Sequence, residues 1–547
     1  MLKNILNFNV GVLGHIDSGK TSLSKALSTI ASTASFDKNP QSQERGITID
    51  LGFSSFSVDV PDHIKSVCHD YEVLQFTLVD CPGHASLIRT IIGGSQIIDL
   101  IMLVIDITKG IQTQTAECLV LGEITCNHMI VVLNKIDLLP PDKIEQSIQK
   151  MTKKILKTLE KTKFKDSVVV PVSANSTSGA KLIGIDLLIK TMQLHTYVPQ
   201  RSEKGPFLFA VDHCFGIKGQ GTVMTGTVIQ GCVTLSDSIE IPSAKIIRKV
   251  KSIQMFKKPI SKAMQGDRVG ICVTQFDPKI LERGTVCAPG YMETADIVIV
   301  SVHKIPYFKS KCLTNSKFHI SIMHDTMMAK CSFFCSLKDV QKEFDTDDGF
   351  NYDDDYEYLD EIPEDESSNV SESRTIFAVL QFEKPIILSQ NSTYIASKLE
   401  TDIHSNVCRL AFHGNILSLI GNKVDSEGLS KLKVFKEKFR EGFVDRMVND
   451  YQIIVKDLFK KETNIQIFTN LKVVLSTGEM GVIEGSFGQS GKVNVRIPNG
   501  LSTETISVLS AKKGKKENVK EKLPDIKVVL KFKKYIYDNK KKIFQSL

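Results

Sequence analysis

Residues 14–21 read GHIDSGKT, and no other segment restricts so far what this chain can fold into. The octapeptide has the form G-x-x-x-x-G-K-[ST]. An apolar stretch, Phe8 to Leu13, precedes it and a helical-looking segment, Thr21 to Thr29, follows it, which is the strand, loop and helix context that the pattern requires. Gly14 and Gly19 let the backbone curl so that successive N–H groups converge on phosphate oxygens. Lys20 reaches the outer phosphates and the Thr21 hydroxyl suits Mg²⁺. Asp17, Ser18, Gly19, Lys20, Thr21 and Ser22 are therefore the candidate phosphate-side residues.

Three further signals follow in order, each after an apolar run that reads as a strand. Asp80-Cys81-Pro82-Gly83-His84 comes after Phe76 to Val79 and places a carboxylate for the Mg²⁺ side and, at Gly83, a backbone N–H for a γ-phosphate. Beyond a second run, Leu100 to Ile105, the chain reaches Ile130 to Leu133 and then Asn134-Lys135-Ile136-Asp137. The Asp137 carboxylate suits the N1 and N2 hydrogens of guanine and would be unsatisfied opposite adenine, so GTP and GDP are the expected ligands. Ser173-Ala174, after Val168 to Val172, would close over the base. Taken singly, Asp80 or Asp137 is a turn residue after a strand; the ordered set at successive strand ends is what points to a nucleotide site.

His84 stands where a side chain could orient water in line with the γ-phosphorus, and it is the candidate catalytic residue, although a lone histidine is more often structural. Thr48, in ERGIT, can close the second Mg²⁺ contact only when a γ-phosphate is present, so its segment is the expected switch. Ile16 and Ile47 are the expected hydrophobic gate over His84.

Together GHIDSGKT, RGITID, DCPGHASLIRTIIGG, NKID and the later DHCFGIKGQGTVMTGT resemble the translational GTPases of the elongation factor Tu class, and most closely the eukaryotic selenocysteine-specific elongation factors. The resemblance continues through FKKETNIQ and SFGQSGK near the end. It implies a multidomain chain, an α/β P-loop GTPase domain followed by β-barrels: two Tu-like barrels and a C-terminal barrel-like domain. It implies a GTPase that delivers selenocysteinyl-tRNA to the ribosomal A site at recoded UGA codons, with a SECIS-binding protein and SECIS RNA as partners. Asp212, His213 and Arg283 match positions that line the family's selenocysteine pocket. A selenol is more acidic than a thiol, whose pKa is about 8.5, so at neutral pH it is an anion that a partly desolvated Arg283 would attract. The plainer reading makes Asp212 and Arg283 an ordinary barrel ion pair. An initiator-tRNA carrier and a GTP-sensing RNA scaffold are the alternative functions.

Composition agrees with a large cytoplasmic protein that handles RNA, and a monomer is expected. The 547 residues exceed one core, and 42% hydrophobic with 24% charged residues describes a globular chain. Twelve cysteines show no C-x-x-C pairing, so neither zinc ribbon nor disulfide scaffold is indicated, and Cys331 and Cys335 are expected in the core. The start runs directly into the first strand, which predicts no cleavable leader, and no apolar run approaches a membrane span. The net charge of +7 includes an acidic stretch, residues 343–366, without Lys or Arg, that reads as a disordered or loosely attached insertion, or else as an acidic docking site. Lysine clusters at 512–516, 531–535 and 540–542, with Phe532, Tyr535 and Tyr537 interleaved, are candidate phosphate-backbone contacts.

The alternating strands and helices give way at Tyr197-Val198-Pro199 to short strands with Gly turns. The expected domains are 1–200 for nucleotide binding, 205–292 and 293–438 as barrels, the latter with an insertion at about 338–373, and 441–547 as the fourth domain. The last is expected to begin with a helix, Phe443 to Leu458, before another small barrel.

Overall fold

A computed structural model describes residues 5–28, 30–31, 52–69, 71–81, 98–174, 182–255, 258–339, 350–363, 374–399, 408–421, 426–488, 491–514, 525–538 and 543–545. The expectations placed on Ile47, Thr48, Gly83 and His84 lie outside the described residues. The chain forms two compact units: Met1–Ser332 with Glu361–Ser368 and Ala378–Lys423, and Phe333–Asp360 with Asn369–Phe377 and Val424–Leu547.

The first unit begins with a seven-stranded sheet in which β1 (Ile5–Gly14) lies at the centre. It is flanked on one side by β4 (Val73–Asp80), β3 (Gly52–Asp59) and the short β2 (Ile30–Ala31), and on the other by β5 (Leu100–Asp106), β6 (Met129–Asn134) and β7 (Val168–Pro171). The strands from β4 through β7 run parallel to their neighbours, while β3 pairs antiparallel to β4. A sheet covered on both faces needs strands apolar at every position, and β5 shows why LIMLVID reads as an unbroken run. Leu100, Met102 and Val104 enter the core with Leu23, Leu188 and Met192, whereas Ile101, Leu103 and Ile105 enter the opposite core with Leu119, Leu121, Ile155 and Leu159. The predicted helix after the glycine-rich loop is α1 (Lys20–Leu27), and α2 (Thr113–Thr125) packs on the second face.

Next comes a Gly-turned all-β segment. β8 (Leu208–Ile217) pairs with β9 (Gly221–Gln230); the small strands β10 (Cys232–Thr234) and β14 (Lys262–Met264) pair with each other; and β11 (Ser238–Ile241), β12 (Ile246–Met255), β13 (Lys258–Ile260), β15 (Arg268–Val273) and β16 (Gly284–Cys287) complete a seven-stranded sheet with β8 and β9. A second all-β segment follows, in which β17 (Glu293–Lys304), β18 (Lys317–Ile322), β22 (Thr393–Ser397) and β23 (Leu410–Ile420) are antiparallel neighbours.

Polar groups tie these pieces together. Asn7 and Asn9 of β1 donate from Nδ2 to the Gly266 carbonyl at 3.0 and 2.9 Å. Arg201 meets Asp99 at 2.7 Å. On α2, Glu117 receives two bonds from the Arg409 guanidinium, Nε at 2.9 Å and Nη2 at 2.8 Å, and both side chains are 6% exposed.

In the second unit, β24 (Val434–Asn449), β25 (Gln452–Lys456), β28 (Lys492–Arg496), β27 (Met480–Phe487), β26 (Lys472–Leu475) and β29 (Lys527–Tyr535) pair in that order, and β29 returns to β24. This is a closed six-stranded barrel around Val444, Ile453, Val455, Ile483, Val493, Val495 and Val528. The helix expected over Phe443 to Leu458 is instead the hairpin of β24 and β25, registered from Phe443↔Lys456 to Asn449↔Gln452. The helical reading fails because Ile453 and Val455 alternate toward the core opposite Val495 and Val493 of β28 while β24 pairs with β29, partners that local sequence cannot show.

The reading of the acidic stretch as loosely attached is also overturned where it is described. Residues Tyr356–Leu359 form a strand that pairs in parallel with Val434 and Phe435. Tyr356 is 1% exposed among Phe334, Phe350 and Phe377. The aromatic residues between the carboxylates supply core positions that a charge count hides. Carboxylates of the stretch also meet the unit's cations, Asp360 with Lys436 at 2.6 Å and Asp355 with Lys533 at 3.7 Å. In the 531–535 cluster, Phe532 is buried, Lys533 lies 4.0 Å from the centroid of the Phe435 ring, and the Tyr535 hydroxyl donates to Asp355. Cys331 and Cys335 are buried, as expected.

Removing one partner of the Glu117–Arg409 pair strands a buried charge. Arg409→Met should lower unfolding stability by about 3–5 kcal/mol, and adding Glu117→Leu should recover much of that loss. Denaturant titrations of the two variants and wild type check this; equal midpoints for Arg409→Met and wild type would exclude a stabilising role for the pair.

Candidate functional site

The parallel strands deliver their C-terminal ends to one edge of the first sheet, which is where open α/β sheets bind ligands. Gly14 closes β1 at φ 149°, and a Cβ there would come 2.3 Å from the Val104 carbonyl oxygen. Gly19 has φ 89°, and a Cβ there would come 2.2 Å from Asn134 Nδ2. Both glycines are thus required by close approach of the loop to β5 and β6. Asp17, with φ 59°, is exposed at the loop tip, and Ser18 is buried. Gly19 is the N-cap of α1 and offers no side chain to the first-turn N–H groups, so the positive end of the helix faces the loop. Ser22 is exposed on the first turn. Ile16 is half-buried, its N–H donating to Gln114 Oε1 at 3.2 Å.

Lys20 is buried and its Nζ donates to the His15 carbonyl at 2.9 Å, across the loop. Burial lowers its pKa, with the Asp80 carboxylate working against that. Thr21 donates from Oγ1 to Asp80 Oδ2 at 2.6 Å, bringing together the hydroxyl and carboxylate singled out for the metal side. Two hard oxygen donors side by side near a phosphate loop are the donor chemistry of Mg²⁺, so the residues present fit that ion.

At the base end Asn134 is the hub. Its Nδ2 donates to the Ser18 carbonyl at 2.9 Å, and its Oδ1 accepts from Lys135 N–H at 2.9 Å and Ala174 N–H at 3.2 Å. Lys135, with φ 68°, turns its Nζ onto Asp106 Oδ2 at 2.9 Å. Asp106 closes β5, and although burial pushes its pKa up, hydrogen bonds from Thr108 and Lys135 hold it below the usual carboxylate range. Asp137 accepts from Ser173 Oγ at 2.6 Å. The loop, the Asn134–Asp137 segment and Ser173-Ala174 therefore form one hydrogen-bonded set. Asp106 and Gln114 were missed in the sequence, although Asp106 also ends an apolar run, the signal used for Asp80.

The residues expected to line the pocket sit in the first all-β segment. Asp212 falls at a register shift between Val211 and His213 in the pairing of β8 with β9, a bulge that re-aims its side chain. On the other side of β8, Gly284 pairs with Val211, which sets Arg283 beside that bulge. The ordinary ion pair between Asp212 and Arg283 is not what forms. Asp212 Oδ2 instead takes Arg268 Nη1 at 2.6 Å, with both residues 5% exposed or less. Arg268, absent from the sequence reading, has no motif around it. His324, also unforeseen, reaches the same neighbourhood from the turn after β18: burial lowers its pKa, the Asp212 charge raises it and the Arg283 charge lowers it. His213 and Arg283 are both half-buried.

Comparison with known proteins finds the family model for the elongation factor Tu GTP binding domain over residues 5–215. The model for the third domain of eukaryotic selenocysteine-specific elongation factors covers 299–414, and that for the eEFSec C-terminal RIFT domain covers 430–541. The chain is 49% identical over 581 residues to the selenocysteine-specific elongation factor of Mus musculus, with 99% of each covered. It is 31% identical to that of Methanocaldococcus jannaschii, covering 89% of this chain and 93% of the relative. Among solved structures, translation elongation factor SelB from Methanococcus maripaludis in complex with the GTP analogue GppNHp aligns with a TM-score of 0.67 at 25% identity, over 96% of this chain and 98% of the other.

Asn134→Ala would leave the Ser18 carbonyl and the Ala174 N–H without these bonds, at about 1–3 kcal/mol for each group stranded. GDP affinity should fall roughly ten- to a hundredfold or more, as read by titrating a fluorescent GDP analogue. An unchanged dissociation constant would remove Asn134 from its place as hub.

Proposed function

The chain belongs to the selenocysteine-specific elongation factors, translational GTPases that deliver selenocysteinyl-tRNA, and from that premise we propose how its own residues do this work. The alternatives of an initiator-tRNA carrier and a GTP-sensing scaffold have no support beside that membership. The loop from Asp17 to Ser22 holds the phosphates, with Lys20 on the outer ones and Gly83 donating its N–H to the γ-phosphate. Asn134, Lys135 and Asp137 hold guanine, Asp137 accepting from its two ring-edge N–H groups while Ser173 fixes the carboxylate. Thr21 and Thr48, with Asp80 behind them, would hold Mg²⁺, which would supply charge neutralisation at the phosphates.

His84 orients the attacking water, and Ile16 and Ile47 screen it until the ribosome engages. Thr48 senses the γ-phosphate, so hydrolysis releases its segment and with it the aminoacyl-tRNA. The partners are the ribosome, a SECIS-binding protein and SECIS RNA, and the protein acts as a cytoplasmic monomer. No described helix is long and apolar enough to cross a membrane.

The observation that carries the amino-acid assignment is the register that seats Arg283 beside the Asp212–His213 bulge. A partly desolvated guanidinium attracts a selenolate and is left poorly matched opposite the neutral hydroxyl of serine. GTP-loaded wild type is expected to favour selenocysteinyl-tRNA over seryl-tRNA of the same sequence by about a hundredfold, and Arg283→Ala to bring the two to near parity. Equal binding of both by wild type would sink the pocket. For the hydrolytic step, His84→Ala should reduce ribosome-stimulated GTP turnover by about a hundredfold or more while leaving GTP affinity in place; undiminished turnover would take His84 out of the mechanism.

A further inference from the structure

Arg268 is a buried cation whose neighbours join two sites. Taking a guanidinium out of water costs several kcal/mol unless it is matched closely. Here Nη1 donates to Asp212 Oδ2 at 2.6 Å and to Thr227 Oγ1 at 3.4 Å. Its Cζ lies 3.0 Å from the centroid of the Phe53 ring. A barrel that needed only an internal ion pair with Asp212 would have no use for an aromatic face supplied by the nucleotide-binding sheet. Phe53 is 0% exposed and is the second residue of β3. Its register partner is Val79, and the preceding Gly52 pairs with Asp80, the carboxylate that meets Thr21. In sequence Phe53 stands five residues after Thr48.

The backbone and side chain of this region are held by different things. The turn before Arg268 is pinned to β1, since the Gly266 carbonyl accepts from both Asn7 and Asn9. The guanidinium depends instead on the position of the Phe53 ring. Its other partner is Asp212, held in the bulge between His213 and Val211, and Val211 is the register partner of Gly284, which follows Arg283.

We propose that Arg268 is a positioning residue that transmits the state of the nucleotide site to the amino-acid pocket, through the Phe53 ring on one side and the Asp212 carboxylate on the other. This rests on the pocket assignment made above. A shift at the start of β3 changes the face presented to the guanidinium, and the guanidinium sets how firmly Asp212 is held in its bulge. Because coupling between sites is reciprocal, a ligand in the pocket must alter affinity for the GTP form by the same factor, typically about 5–150-fold.

The test uses the full chain, a non-hydrolysable GTP analogue and GDP, and selenocysteinyl-tRNA and seryl-tRNA. For wild type, Arg268→Gln, Phe53→Leu and the double variant, the ratio of tRNA affinities in the two nucleotide states is measured. Each single variant should lower that ratio by about tenfold, and the double variant should lower it no further, since both break one path. Affinity for the GTP analogue without tRNA should stay within about twofold of wild type. A folded Phe53→Leu protein with the wild-type ratio, or additive losses in the double variant, would reduce Arg268 to a structural brace. Should Arg268→Gln fail to fold, Phe53→Leu, which keeps the site apolar, decides the matter alone. If both fail, the wild-type protein decides it: an analogue affinity that does not change when tRNA binds overturns the proposal. Failure of the pocket assignment reads differently, as equal wild-type binding of the two aminoacyl forms, and the nucleotide ratio remains measurable on either.

Discussion

The approach of the phosphate loop to the ends of β5 and β6 is the constraint on which the rest depends. Backbone N–H groups can converge on phosphates only if the loop lies flat against neighbouring strands, and that leaves no room for a Cβ at Gly14 or Gly19. The contact is reinforced by Asn134, which bonds the loop at Ser18, its own segment at Lys135 and the base-closing segment at Ala174. Three stretches of sequence that are far apart thereby become one rigid frame. Thr21 and Asp80 are brought to 2.6 Å by the same arrangement, because the strands ending at Gly14 and Asp80 are parallel neighbours in the sheet.

The nucleotide-binding sheet meets the all-β segments through polar groups as well as through apolar packing. Asn7 and Asn9 on Gly266, Arg201 on Asp99 and Glu117 on Arg409 are each specific in geometry. Such contacts define one arrangement more narrowly than oily surfaces do, and they also give a small number of points at which it can be released. Arg268 belongs to this set and differs in having an aromatic face as its second partner. A cation buried between a carboxylate and a ring holds its place only while both are in register, which suits a joint between a nucleotide site and a pocket.

Readings that rested on local chemistry met the structure directly. Thr21 to Thr29 reads as a helix and α1 spans Lys20–Leu27; the apolar runs before Asp80, Asn134 and Ser173 are the strands β4, β6 and β7. The failures have a common cause. Phe443 to Leu458 reads as a short helix, and it is a hairpin because β28 and β29 supply partners from about forty to eighty residues further on. The acidic stretch reads as unanchored because carboxylates outnumber the aromatic residues that anchor it, yet one buried tyrosine among Phe334, Phe350 and Phe377 outweighs several solvated charges.

The sequence by itself determined that this is a GTP-binding chain, and its motifs carry their own backbone requirement, glycine where a Cβ cannot fit. It also determined the kinship and the succession of an α/β domain and barrels. Only the tertiary structure decided who pairs with whom. Asp212 and Arg283 stand in suggestive sequence, but it is Arg268 that takes the carboxylate, and His324 joins the neighbourhood from another part of the chain. Charge pairing in a barrel is governed by strand register and by a bulge that turns one side chain out of alternation. Register is a property of two strands at once, and no single stretch of sequence contains it.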